Sequence, residues 1–156
     1  MTYAIEGLSP APFAALFTMD DAQLAKHQAV RVTATANPGF PCRITLEDAD
    51  VGEEVILLHY LCHDVATPYR NAYAIYVRNS AAPPPRYVDS VPPVFADRPI
   101  ALRGFDAAGM LKGAALAPPG SADAQIRTLF TRDDIAYIHA HNAAHGCFSA
   151  RIDRSA

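Results

Sequence analysis

The stretch IAYIHAHNAAHGCFSARI, residues 135–152, predicts a β-hairpin and is the strongest single indication of the fold. Side chains along a strand point alternately to its two faces, and both arms of this stretch alternate between apolar and polar residues. The connection between the arms, residues 142–146, ends in a glycine, which suits a hairpin loop. The sequence therefore predicts two antiparallel strands at 135–141 and 147–152.

The two alternating patterns agree in a register that places His141 opposite Cys147, and cross-strand partners point to the same face. His139 then lies opposite Ser149, and Tyr137 lies opposite Arg151. The polar face consists of Tyr137, His139, His141, Cys147, Ser149 and Arg151. The apolar face, which we expect to pack on the core, consists of Ile138, Ala140, Phe148, Ala150 and Ile152. A shift of one residue would place Phe148 beside the histidines and mix the two faces.

The polar face predicts a small-molecule-binding or catalytic site. His139 and His141 are the candidate acid–base groups, and Cys147 is a candidate nucleophile because an imidazole beside a thiol favours the reactive thiolate. The substrate-binding candidates on the same face are Tyr137, Ser149 and Arg151, of which the arginine could fix an anion.

Two alternatives use the same residues. His139 and His141 could bind one metal ion with Cys147 as a third ligand and His145 as a fourth. The chain has no paired Cys-x-x-Cys and no His-Glu-x-x-His motif, which are the usual zinc signatures. The simpler alternative is a half-exposed polar sheet face without chemistry, which many antiparallel sheets carry.

Two further arginines could complete an anion site with Arg151. Arg43 follows a rigid segment of proline and glycine at 37–41, and Arg70 lies in a predicted turn at 67–70. A guanidinium group offers a planar fork of donors that matches a carboxylate or a phosphate. The predicted partner is thus a small anionic molecule. The neighbours Cys62-His63-Asp64 resemble a catalytic triad in composition only.

Outside the hairpin, predicted strands outnumber predicted helices. Strands are predicted at 2–6, 30–35, 42–46, 53–60, 73–78, 100–105 and 110–116, and helices at 12–17, 20–27 and 121–130. Because helices and strands do not alternate regularly and no glycine-rich phosphate loop is present, we predict an α+β fold. It consists of a mostly antiparallel sheet with two or three helices in a single domain, residues 1–156. The proline-rich segment at 79–93 is predicted to be a surface loop, and its use as a recognition segment would make the protein a non-catalytic interaction module.

The composition is that of a folded protein, with 51% hydrophobic residues, 19% charged residues and a net charge of −3. No cluster of lysine and arginine exists, so we do not expect a nucleic-acid partner. No apolar run is long enough to span a membrane. Three cysteines form a sparse and odd set, and no basic leader segment precedes them. These features predict free thiols in a cytoplasmic protein.

Four motifs occur together in this chain: PGFPCR at 38–43, PYR at 68–70, AYIHAHNA at 136–143 and GC at 146–147. In this combination the chain resembles a family of bacterial proteins catalogued as domain of unknown function number twelve hundred and three, from Tyr3 to Arg154. The resemblance implies a bacterial, cytosolic protein and supports a single domain. It carries no activity and no catalytic residue over to this chain.

Overall fold

The computed structural model describes residues 1–156, and its nine strands form two antiparallel sheets. In chain order the strands are β1 (Thr2–Glu6), β2 (Ala29–Thr33), β3 (Glu54–His63), β4 (Asn71–Arg78), β5 (Arg86–Val88), β6 (Ile100–Phe105), β7 (Leu111–Ala117), β8 (Tyr137–Asn142) and β9 (Phe148–Ser155). The larger sheet has the order β5-β1-β9-β8-β6-β7, and the smaller sheet has the order β2-β3-β4. The predicted hairpin, β8 and β9, lies in the middle of the larger sheet.

Two α-helices, α1 (Asp21–Lys26) and α2 (Ala122–Phe130), are accompanied by 3-10 helices at Ala11–Thr18 and Pro93–Phe95. Helix α1 begins at a capping box, in which the Asp20 carboxylate accepts from the Gln23 backbone N–H at 2.8 Å and the Gln23 side chain accepts from the Asp20 N–H. The predicted class, an α+β fold with a mostly antiparallel sheet, is confirmed.

One face of the larger sheet packs against helix α2. Ile138 and Ala140 of β8 and Ile152 of β9 belong to the same buried cluster as Ile126 and Leu129 of the helix. The polar face of the hairpin therefore lies on the opposite side of the larger sheet. The prediction that Ile138 and Ala140 face the core is confirmed.

The smaller sheet lies on that opposite face. The ring of Tyr73 in β4 is 5.1 Å from the ring of His141, and the ring of Tyr60 in β3 is 6.2 Å from that of Phe148. His139 is 2% exposed and His141 is 0% exposed. The alternative of a half-exposed sheet face is therefore wrong, because a second sheet covers the histidines.

The predicted hairpin register is also wrong. His139 lies opposite Arg151, Tyr137 lies opposite Asp153, and His141 lies opposite Phe148. The register shifts after Ala140, and a β-bulge of this kind places one extra residue in one strand and changes which face its side chains point to. Phe148 consequently joins the histidines. The loop contributes to the shift, because β8 continues to Asn142, whose N–H donates to the Cys147 carbonyl at 2.9 Å.

Two segments outside the hairpin differ from the prediction. Residues 42–46 form a turn rather than a strand, closed by the Leu46 N–H donating to the Cys42 carbonyl at 3.0 Å. Leu46 has a φ of 54°, which an extended strand does not allow. The proline-rich segment at 79–93 is not wholly a loop, because β5 pairs with β1 at the sheet edge.

Gly7 directly follows β1 and lies against the turn formed by residues 42–46, so we expect it to be essential for stability. A Cβ atom at position 7 would overlap the backbone carbonyl of Ile44, and the Leu8 N–H donates to the Arg43 carbonyl at 2.9 Å. We expect Gly7→Ala to lower the free energy of unfolding by about 3 kcal/mol or more, since backbone cannot yield as a flexible side chain can. Urea denaturation measures the loss. Gly120→Ala is the control, because its φ of 82° is strained but no atom lies near the added carbon. Equal losses in both variants would contradict the steric explanation.

Candidate functional site

A cleft of about 400 Å³ lies between strand β4, the segment at 39–43 and the loop that joins β8 to β9. A cavity of this size is within the range that holds small molecules. Its polar lining consists of Arg43, Tyr73, Tyr76, Arg98, Asn142, His145 and Cys147. Two lining residues are arginines and none is acidic, so the lining carries a net positive charge.

Arg43 lines the cleft and is only 2% exposed. Its guanidinium group donates from Nε to the Phe148 carbonyl at 2.8 Å, from Nη1 to the Pro41 carbonyl, and from Nη2 to the Cys147 sulfur at 3.1 Å. Burial lowers the pKa of Arg43 because it disfavours the charged form. No carboxylate pairs with this guanidinium, which is unusual for a buried charge.

Cys147 and Asn142 converge on the same point. Cys147 is partly exposed, and its sulfur accepts from Asn142 Nδ2 at 3.5 Å as well as from Arg43. Asn142 is 6% exposed, and its buried Oδ1 has no hydrogen-bond partner. Around the Cys147 sulfur the cleft lining thus combines a thiol, a buried cation and an amide whose oxygen has no partner.

The walls of the cleft are aromatic and largely committed to partners within the protein. Tyr73 accepts a hydrogen bond from Arg103 at 3.0 Å, and the ring of Tyr76 lies 5.2 Å from that of Phe40. Arg98 makes two hydrogen bonds to Asp48, at 2.8 and 2.6 Å, so its charge is balanced. Arg43 is therefore the arginine of the cleft whose charge is left without a carboxylate.

Three buried imidazoles lie beside the cleft, and we call them the histidine row: His63, His139 and His141. Their neighbouring ring centroids are 4.8 and 6.4 Å apart. Phe105, Tyr137 and Phe148 surround the row. His141 is connected to the cleft by its contact with Tyr73.

The hydrogen bonds assign the tautomers of two of these rings. His63 Nδ1 lies 2.8 Å from the Tyr69 carbonyl, which can only accept, so Nδ1 carries a proton, and Nε2 lies 2.7 Å from the Tyr137 hydroxyl. His141 Nδ1 likewise donates to the Gly146 carbonyl at 3.0 Å. His141 Nε2 is then a buried lone pair without a partner.

Burial keeps His139 and His141 neutral. Burial is the largest cause that lowers the pKa of His139 to about 3, and electrostatic repulsion from the neighbouring His63 and His141 acts in the same direction. Burial also lowers the pKa of His141 to about 4, against the hydrogen bond to Gly146, which raises it. Both imidazoles are uncharged at neutral pH, and His139 Nδ1 has no hydrogen-bond partner.

The structure separates the predicted site residues into several places. Cys147 and Arg43 line the cleft, but His139 and His141 do not. Tyr137 and Ser149 are buried, the serine beside the shift in the hairpin register. Arg70 pairs with Asp64 at 3.0 Å, and Arg151 pairs with Asp153 while it stacks 4.0 Å above the Tyr137 ring. The structure therefore gives Arg43, Arg70 and Arg151 different partners and does not assemble them into one clamp.

No three side chains of histidine, cysteine, aspartate or glutamate are placed to hold a metal ion. The proposed ligands His139, His141 and Cys147 are not brought together, because the cysteine sulfur points to Arg43 and Asn142 instead.

Several residues of these sites were missed by the sequence analysis or given little weight, among them His63, Arg98 and Asn142. A β-bulge near the end of β3 accompanies the placement of His63 against Tyr137, and no local pattern indicates it. Asn142 directly follows the alternating histidines, and this proximity was the signal that could have drawn attention to it.

The fold and the cleft define an α+β protein of two antiparallel sheets with a positively charged cleft at their junction. Residues 39–154 match the family model described as "Protein of unknown function (DUF1203)", and the chain belongs to this family. The matched region contains Arg43, Asn142 and Cys147. No curated protein and no solved structure matches the chain. No helix has the length and apolarity that crossing a membrane requires.

Proposed function

We propose that the protein binds a small anionic molecule in the cleft beside β4. The observation that carries this proposal is Arg43, a buried guanidinium group with no carboxylate partner in a cleft without acidic residues. A bound anion would balance this charge, and charge-assisted hydrogen bonds to a guanidinium are strong.

The remaining lining favours a compact anion with a flat apolar part. Leu57, Tyr73 and Tyr76 provide apolar surface, and Asn142 and His145 provide polar contacts at the same cleft. Such a mixture of apolar walls and a few polar groups is typical of small-molecule sites. An aromatic carboxylate of the size of benzoate fits this chemistry.

Titration calorimetry with benzoate and with its neutral analogue benzyl alcohol tests the proposal. We expect benzoate to bind and benzyl alcohol to bind at least about tenfold more weakly, because only the anion balances Arg43. Arg43→Lys keeps a positive charge but loses the planar fork, so benzoate affinity should fall by about tenfold. Arg151→Lys, at an exposed arginine outside the cleft, is the matched control and should bind as the unaltered protein does. Equal affinities for the acid and the alcohol would contradict the proposal.

We also propose a location in the bacterial cytoplasm. The Cys42 sulfur accepts backbone hydrogen bonds from Thr45 and Arg78, and the Cys147 sulfur accepts from Arg43. All three cysteines are free thiols, which is the state that a reducing compartment maintains. Fractionation of the producing cell, with detection of the protein in the cytosolic fraction, tests the location.

A further inference from the structure

We propose that Cys147 is a redox-active thiol, at which a hydroperoxide oxidises the protein to a sulfenic acid. This inference uses the cleft of the proposed function but does not depend on the binding of an anion. It is carried by the geometry of Cys147, Arg43 and Asn142.

The charge of Arg43 supports this assignment. A cation buried to this degree requires a negative partner, and none of the groups that contact its guanidinium is a carboxylate. Two of the contacting groups are neutral carbonyls. The third is the sulfur of Cys147, which becomes an anion by losing one proton. Loss of this proton gives a thiolate 3.1 Å from the guanidinium group, and the thiolate is the nucleophilic form of cysteine.

Asn142 supplies a second observation at the same point. Its Nδ2 lies 3.5 Å from the Cys147 sulfur, and its Oδ1 is buried with no partner in a residue that lines the cleft. Arg43 also has donors to spare, since a guanidinium group carries five N–H bonds and three serve the contacts above. The Cys147 sulfur is thus contacted by an amide group and a guanidinium group, and both keep hydrogen-bonding capacity that the protein does not use.

The other two cysteines lack these features. Cys42 is 1% exposed, so a reagent does not reach it. Cys62 is partly exposed, but its thiol donates to Asn71 Oδ1 at 2.9 Å, and burial raises its pKa to about 11. A thiol that donates its proton to an amide oxygen is held in the unreactive form. Cys62 is therefore an internal control for Cys147.

The reaction follows from these contacts. The Cys147 thiolate attacks the terminal oxygen of the hydroperoxide, so that an S–O bond forms while the O–O bond breaks. The sulfur loses two electrons and becomes a sulfenic acid that keeps the hydroxyl of the peroxide. The leaving oxygen departs as an alkoxide or hydroxide and takes a proton from water. Arg43 N–H groups stabilise the negative charge on this oxygen as it develops.

The test measures sulfenic acid formation with hydrogen peroxide and cumene hydroperoxide at pH 7, trapped by dimedone and located by peptide mass spectrometry. We expect one adduct, on Cys147, in the unaltered protein and in Cys62→Ser, and none in Cys147→Ser. Arg43→Lys should slow the reaction by about tenfold, since it removes a charge-assisted hydrogen bond to the sulfur. Oxidation of Cys62 at the same rate as Cys147, or an unchanged rate in Arg43→Lys, would overturn the proposal.

A second variant keeps the test decisive if Arg43→Lys does not fold, which circular dichroism reports. Asn142→Asp preserves the shape of the side chain but places a carboxylate against the Cys147 sulfur, where its negative charge disfavours the thiolate. The rate should again fall by about tenfold, and an unchanged rate would overturn the proposal.

Benzoate titration of Cys147→Ser separates this inference from the proposed function. Benzoate binding without oxidation of Cys147 overturns only the redox inference, and oxidation of Cys147 without benzoate binding overturns only the proposed function.

Discussion

Lowering the pH from 7 towards 4 is expected to remove most of the stability of the protein, because His139 and His141 are buried as neutral imidazoles. Their pKa values are lowered from 6.5 to about 3 and about 4 in the folded protein, chiefly by burial. In the unfolded chain both rings regain their ordinary pKa. Below pH 6.5 the unfolded chain therefore binds up to two more protons than the folded protein, and protonation favours unfolding.

The size of the effect follows from the number of titrating groups. Each histidine contributes about 1.4 kcal/mol of lost stability per pH unit between its unfolded and folded pKa values. The full stability is present above about pH 6.5, and the loss continues as the pH falls towards the folded values near 4 and 3. Because a typical domain is stable by about 5–15 kcal/mol, the two groups can unfold it within this window. Urea denaturation at intervals from pH 7.5 to 4.5 measures the loss.

A single substitution isolates one of the two groups. His141→Asn keeps a donor for the Gly146 carbonyl but removes the ionisable ring, so the slope of stability against pH should fall by about half. His59→Asn, at an exposed histidine, is the matched control and should leave the slope unchanged. If both variants kept the slope of the unaltered protein, the histidine row would not be the origin of the acid sensitivity.

Phe105→Ala is expected to be the most damaging single truncation beside the histidine row. Phe105 is 1% exposed, and its ring lies 4.2 Å from that of His63 and 5.5 Å from that of His139. Removing a buried phenylalanine ring costs about 3–5 kcal/mol of stability. The space left beside the imidazoles would also admit water, which restores part of the solvation of a charged ring. The pKa of His139 should therefore rise, and the pH dependence of stability should weaken.

Phe95→Ala provides the matched control for this prediction. Phe95 is also 1% exposed, but it lies in the cluster on the other face of the larger sheet, together with Ile126 and Ile138. The variant should lose a similar amount of stability at pH 7 and keep the slope of stability against pH. Equal slopes in Phe105→Ala and Phe95→Ala would contradict the view that Phe105 keeps water from the histidines.

Most of the fold could be predicted from local pattern. The alternation at 135–141, the apolar run at 55–58 in β3 and the capping residue Asp20 each reflect interactions within a few residues, and the corresponding elements are present. The hairpin register was not predictable from alternation alone. With a β-bulge, the same alternating pattern fits a different pairing of the two strands. In this pairing Phe148 packs against Tyr60 of the smaller sheet, a contact that the local pattern does not contain.

The candidate site shows the same division between local and distant interactions. The sequence by itself determined that Cys147 and Arg43 are chemically capable residues and that the histidines alternate on one face of β8. Only the tertiary structure decided that the histidines are buried between two sheets. It also decided that Arg43 contacts the sulfur of Cys147, which lies 104 positions away in the sequence. The physical reason is that the burial of a charge, and the partner it then requires, depend on which surfaces meet. That meeting is set by the packing of the two sheets and not by the spacing of residues along the chain.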